Sequence, residues 1–137
     1  MQLKMIGVMR MKKTMLNGKT NPTLNDLFVQ QMVNQSRFIQ EGIYDHYKMD
    51  ETTQVPVDDI GLFSYHIQHL MSEVGEVLDS DKRWKTHRNG KFDKDAKLDE
   101  IADCFIVLMN VAMFSDFNGY QLTDAIKKKL DVVSDRV

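Results

Sequence analysis

The run Ile101–Phe114, IADCFIVLMNVAMF, carries only two polar side chains, Asp103 and Asn110. A helix through it is hydrophobic nearly all round, and such a helix on a globular protein must be covered on several sides. It also sets a carboxylate among apolar neighbours, where an unpaired charge loses its hydration at large cost. The run is shorter than the roughly 20 residues of a bilayer span. It therefore predicts a central bundle helix in which Asp103 has a charged partner.

The rest of the chain supplies helices to cover it. Phe28, Met32, Ile39 and Ile43 recur at helical spacing and predict a first helix from about Asp26 to Tyr47, with Asn25 or Asp26 as N-cap. KMDETTQVPVDD reads as a loop broken by Pro56, with Asp58 or Asp59 capping the next helix. Ile60, Phe63, Ile67, Leu70, Met71, Val74, Val77 and Leu78 step by threes and fours, which predicts a second helix from about Ile60 to Leu78. A polar, basic loop containing Trp84 leads to the third helix, the run itself, from about Leu98 to Phe114. A fourth, shorter helix is expected from about Leu122 to Val133, with Leu122, Ile126, Leu130 and Val133 on one face and Lys127, Lys128 and Lys129 on the other. The expectation is an all-α bundle of four to five helices. Because so few partners can cover the third helix, a homodimer or homotetramer is expected to complete it.

Residues 1–23 differ from this pattern. They hold Lys4, Arg10, Lys12, Lys13 and Lys19, have no acidic residue, and close on the turn signal NGKTNP. They read as a flexible basic arm preceding one domain over 24–137. The arm's basic residues are spread through its apolar part with no small-residue cleavage site, which argues against a signal peptide. At 137 residues, 42% of them hydrophobic, the chain suits a single core. A net charge of -2 gives no general attraction to nucleic acid. The lone Cys104 has no intrachain partner, so a reducing, cytoplasmic setting is expected, with no membrane partner.

Chemistry concentrates in two pairs of carboxylates. Glu73 and Glu76 lie one turn apart on the second helix, as do Glu100 and Asp103 on the third. If the two helices pack antiparallel, the pairs can face each other. Four half-buried carboxylates repel, and either basic side chains or divalent cations must relieve them. The apolar surroundings of Asp103 offer no basic residue; the nearest are Arg83, Lys85, Arg88 and Lys91 in the loop. All-oxygen ligation favours Mg2+, with Mn2+ as substitute, and suits phosphate chemistry. Two rival readings stand beside this one. His66 and His69 share the stripe of Glu73 and Glu76, a set able to hold zinc or iron, although the third helix adds no histidine. The carboxylates also suit a non-enzymatic helical dimerisation or adaptor module, in which they only form salt bridges.

SEVGEV, a spacer and then DEIADCFIVLMNVAMF resemble the E-x-x-E and E-x-x-D motifs of the all-α nucleoside triphosphate pyrophosphohydrolases. These include the MazG proteins, the dimeric dUTPases, the dCTP pyrophosphatases and the phosphoribosyl-ATP pyrophosphohydrolases. The 23 residues between Glu76 and Glu100 are similar to the family's spacing, and Asn110 stands where MazG proteins often carry an Asn. Arg83, Trp84 and Lys85 resemble a Trp-Lys element, and VQQMVN resembles the context of a base-contacting Gln. AIKKKLDVVSDR is similar to the family's closing basic segment. Ser72 departs from the Glu usual in MazG proteins before the first motif, which leaves the number of ions open. The resemblance implies a MazG-like fold and hydrolysis of a (d)NTP between its α and β phosphates, leaning to dUTP or dCTP. It implies Mg2+ on Glu73, Glu76, Glu100 and Asp103, with Glu73 orienting or deprotonating the attacking water. It further implies phosphate contacts from Arg83, Lys85, Lys129 and Arg136. Gln30, Asn34 and Asn110 are then the hydrogen-bonding candidates for base and sugar, with Trp84 or Phe38 for stacking.

Overall fold

The computed structural model describes residues 16, 18–53, 56–85 and 92–136. Most of the arm expected over 1–23 lies outside the described residues, as do Arg88 and Lys91 of the basic loop. The described chain is all-helical: α1 (Leu24–Gln40), α2 (Asp59–Ser80), a 3-10 turn (Lys82–Trp84), α3 (Lys94–Met113) and α4 (Gly119–Ser134). No strand occurs among the described residues, only an isolated antiparallel bridge between Met49 and Pro56. Nor is any described helix long and apolar enough to cross a membrane.

Local chemistry sets the helix ends. Thr23 caps α1, rather than Asn25 or Asp26, and Asp26 completes a capping box by accepting the Thr23 N–H at 2.9 Å. At the other end α1 stops at Gln40, well short of Tyr47. Gly42 takes a positive φ of 80°, its N–H reaches Ile39 O at 3.1 Å, and the Ile43 N–H reaches Phe38 O at 3.0 Å. This is a Schellman motif, which ends the helix with Phe38 and Ile43 side by side and turns the chain so that Tyr44 enters the core. A second such motif ends α3: Asp116 N–H bonds Met113 O and Phe117 N–H bonds Ala112 O, with Asp116 at φ 64°.

α2 and α3 form the most extensively packed pair, and they run antiparallel. Asp81 meets Lys97 at one end, Glu76 lies by Glu100, and His66 stacks on Phe114 at the other end. The closed end of this hairpin is held by Asp81. It accepts from Arg83 Nε at 2.8 Å, from the Arg83 guanidinium at 2.7 Å and from Lys97 Nζ at 2.8 Å. Those bonds, Arg83 first, hold the Asp81 carboxyl well below the usual carboxylate range.

α1 crosses the hairpin and, with the turn after it, completes a core of Phe28, Met32, Tyr44, Leu62, Met109, Met113 and Phe114. α4 packs mainly on α1. They meet closely at Gly119, where a Cβ would strike Asn25 Oδ1. Beyond Leu122 the apolar face of α4 is uncovered, with Leu130 60% and Val133 55% exposed. Similarly uncovered are Met71 at 70%, Leu98 at 63% and Phe105 at 61%. One chain therefore covers α3 on only part of its circumference.

Candidate functional site

Glu73 and Glu76 on α2 and Glu100 on α3 come together so that carboxylate oxygens from all three lie within 4.8 Å of one another. The antiparallel hairpin puts them there, since one turn of α2 faces the second turn of α3. Glu73 is half-buried: its Oε1 bonds His69 Nε2 at 2.8 Å, and its Oε2 is buried with no hydrogen-bond partner. The Glu76 carboxyl is pushed above the usual carboxylate range, first by sharing hydrogen-bonding distance with Glu73, then by the charge of Glu73, with desolvation and Glu100 adding to it. Among the described residues no lysine or arginine pairs with any of the three, and His69 is the only basic side chain in contact. Three acidic side chains thus share a small volume, one carries an orphaned oxygen, and no lysine or arginine among the described residues relieves them.

The fourth expected ligand is placed differently. Asp103 is exposed and is not part of the group. A step of three residues turns a helix by about 300°, so Glu100 and Asp103 diverge by about 60° around the axis, enough to aim one across at α2 and the other to the side. Asp103 stays at the rim, however. The Cys104 thiol is pushed up by burial and then by the charges of Glu73, Asp103 and Glu100 together. An all-oxygen set of three carboxylates with no thiolate or imidazole fits a hard divalent cation. The histidines do not join it: His69 supports Glu73 from outside and His66 turns into the core, so the expected His-Glu stripe is not gathered at one point.

The remaining predicted residues separate by place. Asn110 is buried, and its Oδ1 accepts from Gln31 Nε2 at 2.8 Å and Gln35 Nε2 at 3.2 Å. Gln35 Oε1 in turn takes the Tyr44 hydroxyl. Gln30 and Asn34 lie beside this network on α1, joined by a 3.2 Å bond from Gln30 Nε2 to Asn34 Oδ1. Arg83 is not free for phosphate: its guanidinium grips Asp81 and lies 3.5 Å over the centre of the Phe92 ring. Trp84 is exposed, donates Nε1–H to Leu78 O at 3.2 Å, and has Lys85 Nζ 5.2 Å from its ring centre. Lys129 on α4 and Arg136 just past its end are exposed, and α4 packs mainly on α1 rather than on the hairpin that bears the carboxylates.

Sequence reasoning did not find the cavity next to the glutamates. Gln35, Phe38, Ile43, Tyr44, Tyr65, His66, His69 and Asn110 enclose about 170 Å³, open on one side. His66 is 1% exposed, stacks on Phe114 with ring centres 4.6 Å apart, and finds no hydrogen-bond partner for either nitrogen. A buried polar atom left unsatisfied costs about 1–3 kcal/mol. Burial, with His69 adding to it, brings its pKa down to about 4, so the ring is neutral at physiological pH. The signals in the sequence were His66 and His69 on the face of α2 that leads to Glu73, and Asn110 and Phe38, both expected at the base or sugar and both lining this cavity.

The chain matches no protein-family model, no curated protein and no solved structure.

Proposed function

We propose that the protein is a magnesium-dependent nucleoside triphosphate pyrophosphohydrolase, cleaving a (d)NTP between its α and β phosphates to the monophosphate and pyrophosphate. One observation carries the reading: Glu73, Glu76 and Glu100 converge from two helices, and no lysine or arginine among the described residues pairs with them. Glu73, Glu76 and Glu100 would hold the Mg2+, which when bound screens the phosphate charge and acidifies a coordinated water. Mn2+ has the same preference for oxygen and is the expected substitute.

The chain's own groups have separable tasks. Glu73 is the base candidate, because its Oε1 is oriented by His69 while its Oε2 is left for a water or an ion. Glu76, whose carboxyl Glu73 pushes above the usual carboxylate range, gains most when positive charge arrives. Asp103, exposed at the rim, is the further carboxylate available to a second ion. Half-buried Lys85 and exposed Lys129 and Arg136 are the cations for the β and γ phosphates. The apolar surfaces of α2, α3 and α4 support a homodimer or homotetramer, in which a second copy covers Met71, Leu98 and Phe105.

The test is pyrophosphate release from a panel of ribo- and deoxyribonucleoside triphosphates with Mg2+. Release from at least one, abolished by chelation and by Glu73→Gln, is expected. No release from any, with the three glutamates still forming their cluster, would leave the helical dimerisation module as the better account.

A further inference from the structure

We propose that the uncovered apolar stripe of α4 is the seat of the chain's own N-terminal arm, whose residues 8–15 lie along Ile126, Leu130 and Val133 whatever reaction the glutamates serve.

The stripe leaves α4 short of support. Asn118 and Gln121 fix the start of the helix with a capping box, and Leu122 packs against the core. From Asp124 to Arg136 every residue is exposed, so the remainder of α4 stands in water. A helical stretch of that length is marginal on its own. Its two ion pairs, Lys127 with Asp131 and Lys128 with Asp124, are exposed and add little. Ile126, Leu130 and Val133 nevertheless follow Leu122 at steps of four, four and three, one apolar line running outward from the core. Such a line is a face for another segment to cover.

The arm enters the fold at the foot of that line. Thr23 caps α1, and two residues on, Asn25 Oδ1 fills the space that a Cβ on Gly119, the first residue of α4, would need. Lys19 Nζ bonds Asp26 Oδ1 at 2.9 Å and holds the chain before Thr23 to the same turn of α1. From Gly119 to Val133 the helix rises about 21 Å. Residues 8–15 span up to about 26 Å when extended, enough to follow it to the end.

Composition matches the seat. Val8, Met9, Met11 and Met15 bring apolar surface, and unbranched methionine moulds to an irregular contact. Arg10, Lys12 and Lys13 are interleaved with them, and the arm has no acidic residue. The far end of α4 suits those charges: its last turn has no basic residue, includes Asp131 and is capped by Asp135, where the helix dipole is negative. Tyr120 and Val132 lie off the stripe, so they and the α2–α3 hairpin remain for a second copy.

Amide hydrogen exchange on the full chain tests this. Residues 126–134 should be protected in wild type to the same degree at low and high protein concentration. Met9→Asp combined with Met11→Asp should speed their exchange roughly tenfold or more and leave the α2–α3 hairpin unchanged. Leu130→Asp should in turn remove protection from residues 8–15. Carbodiimide, which joins amines to carboxylates in contact, should link Lys12 or Lys13 to Asp131 or Asp135 within one wild-type chain, a readout that needs no variant. Unprotected α4 amides in wild type would overturn the proposal, as would links from Lys12 and Lys13 only to carboxylates outside α4. Protection of α4 that survives the paired methionine substitutions would also overturn it, and if that protection rises with concentration the occupant is a second copy.

Discussion

His66 is the side chain whose placement costs the fold most visibly, and that cost depends on pH. Its pKa is about 4 in the folded chain against an ordinary 6.5. As pH falls the unfolded chain takes up the proton first, so the stability tied to neutral His66 is complete above 6.5 and is lost between there and about 4. The full effect is on the order of 3 kcal/mol. Denaturant melts at a series of pH values should show wild type weakening through this window, and His66→Phe should remove most of the slope. A variant that retains the wild-type slope would assign the acid sensitivity to other groups. Single side chains also mark where reading the sequence stops. Glu73, Glu76 and Glu100 were legible because their spacing puts them on helix faces regardless of what packs there. Asp103 was not, because whether the 60° between it and Glu100 matters is decided by the angle at which α2 crosses, and no residue in the sequence encodes that alone.

Among the helices, existence was legible throughout and ends only where a cap lies close to the apolar pattern. α2 begins at Asp59 behind its Asp58 cap, in line with the expectation. α3 begins at Lys94, earlier than Leu98, because its first turn is polar and is held by Asp93, whose Oδ1 accepts from the Asp95 N–H at 2.9 Å and the Ala96 N–H at 3.1 Å. Hydrophobic periodicity is silent over such a turn. The α1 end was missed for the opposite reason: apolar residues continue past it, but the positive φ of Gly42 breaks the helix. Asp81 matters most to the α2–α3 hairpin, as it joins the end of one helix to the start of the next through Arg83 and Lys97. Because its pKa is depressed when folded, its contribution is present above the ordinary carboxylate pKa and disappears only in stronger acid. Asp81→Asn is expected to lower the melting temperature at neutral pH and to speed amide exchange at the closed end of the hairpin. Unchanged exchange there would show that apolar packing alone holds that end.

Across the assembled fold, the uncovered apolar surface is the dominant fact. A helix that reads as central in the sequence has Phe105 61% and Leu98 63% exposed in a single chain, while Asn110 and Met113 on its other side are buried. The sequence predicted cover on several sides, and one chain provides it on only one. A second copy is the simplest source of the rest, because it brings the same unsatisfied surface. Light scattering should therefore give a mass of two or four chains for wild type, and Phe105→Glu should shift it toward one chain while the helical content stays. A monodisperse single chain in wild type at high concentration would contradict this.

The proposed chemistry depends on the three glutamates acting as one site. The direct measurement is calorimetric titration of Mg2+ into wild type, Glu76→Gln and Glu100→Gln in the absence of nucleotide. Saturable binding by wild type, lost or weakened at least tenfold in each variant, is the predicted result, since each substitution removes a charge-bearing ligand and about 1.4 kcal/mol already amounts to a factor of ten. Wild type that binds no Mg2+, or variants that bind it as well as wild type, would contradict the account.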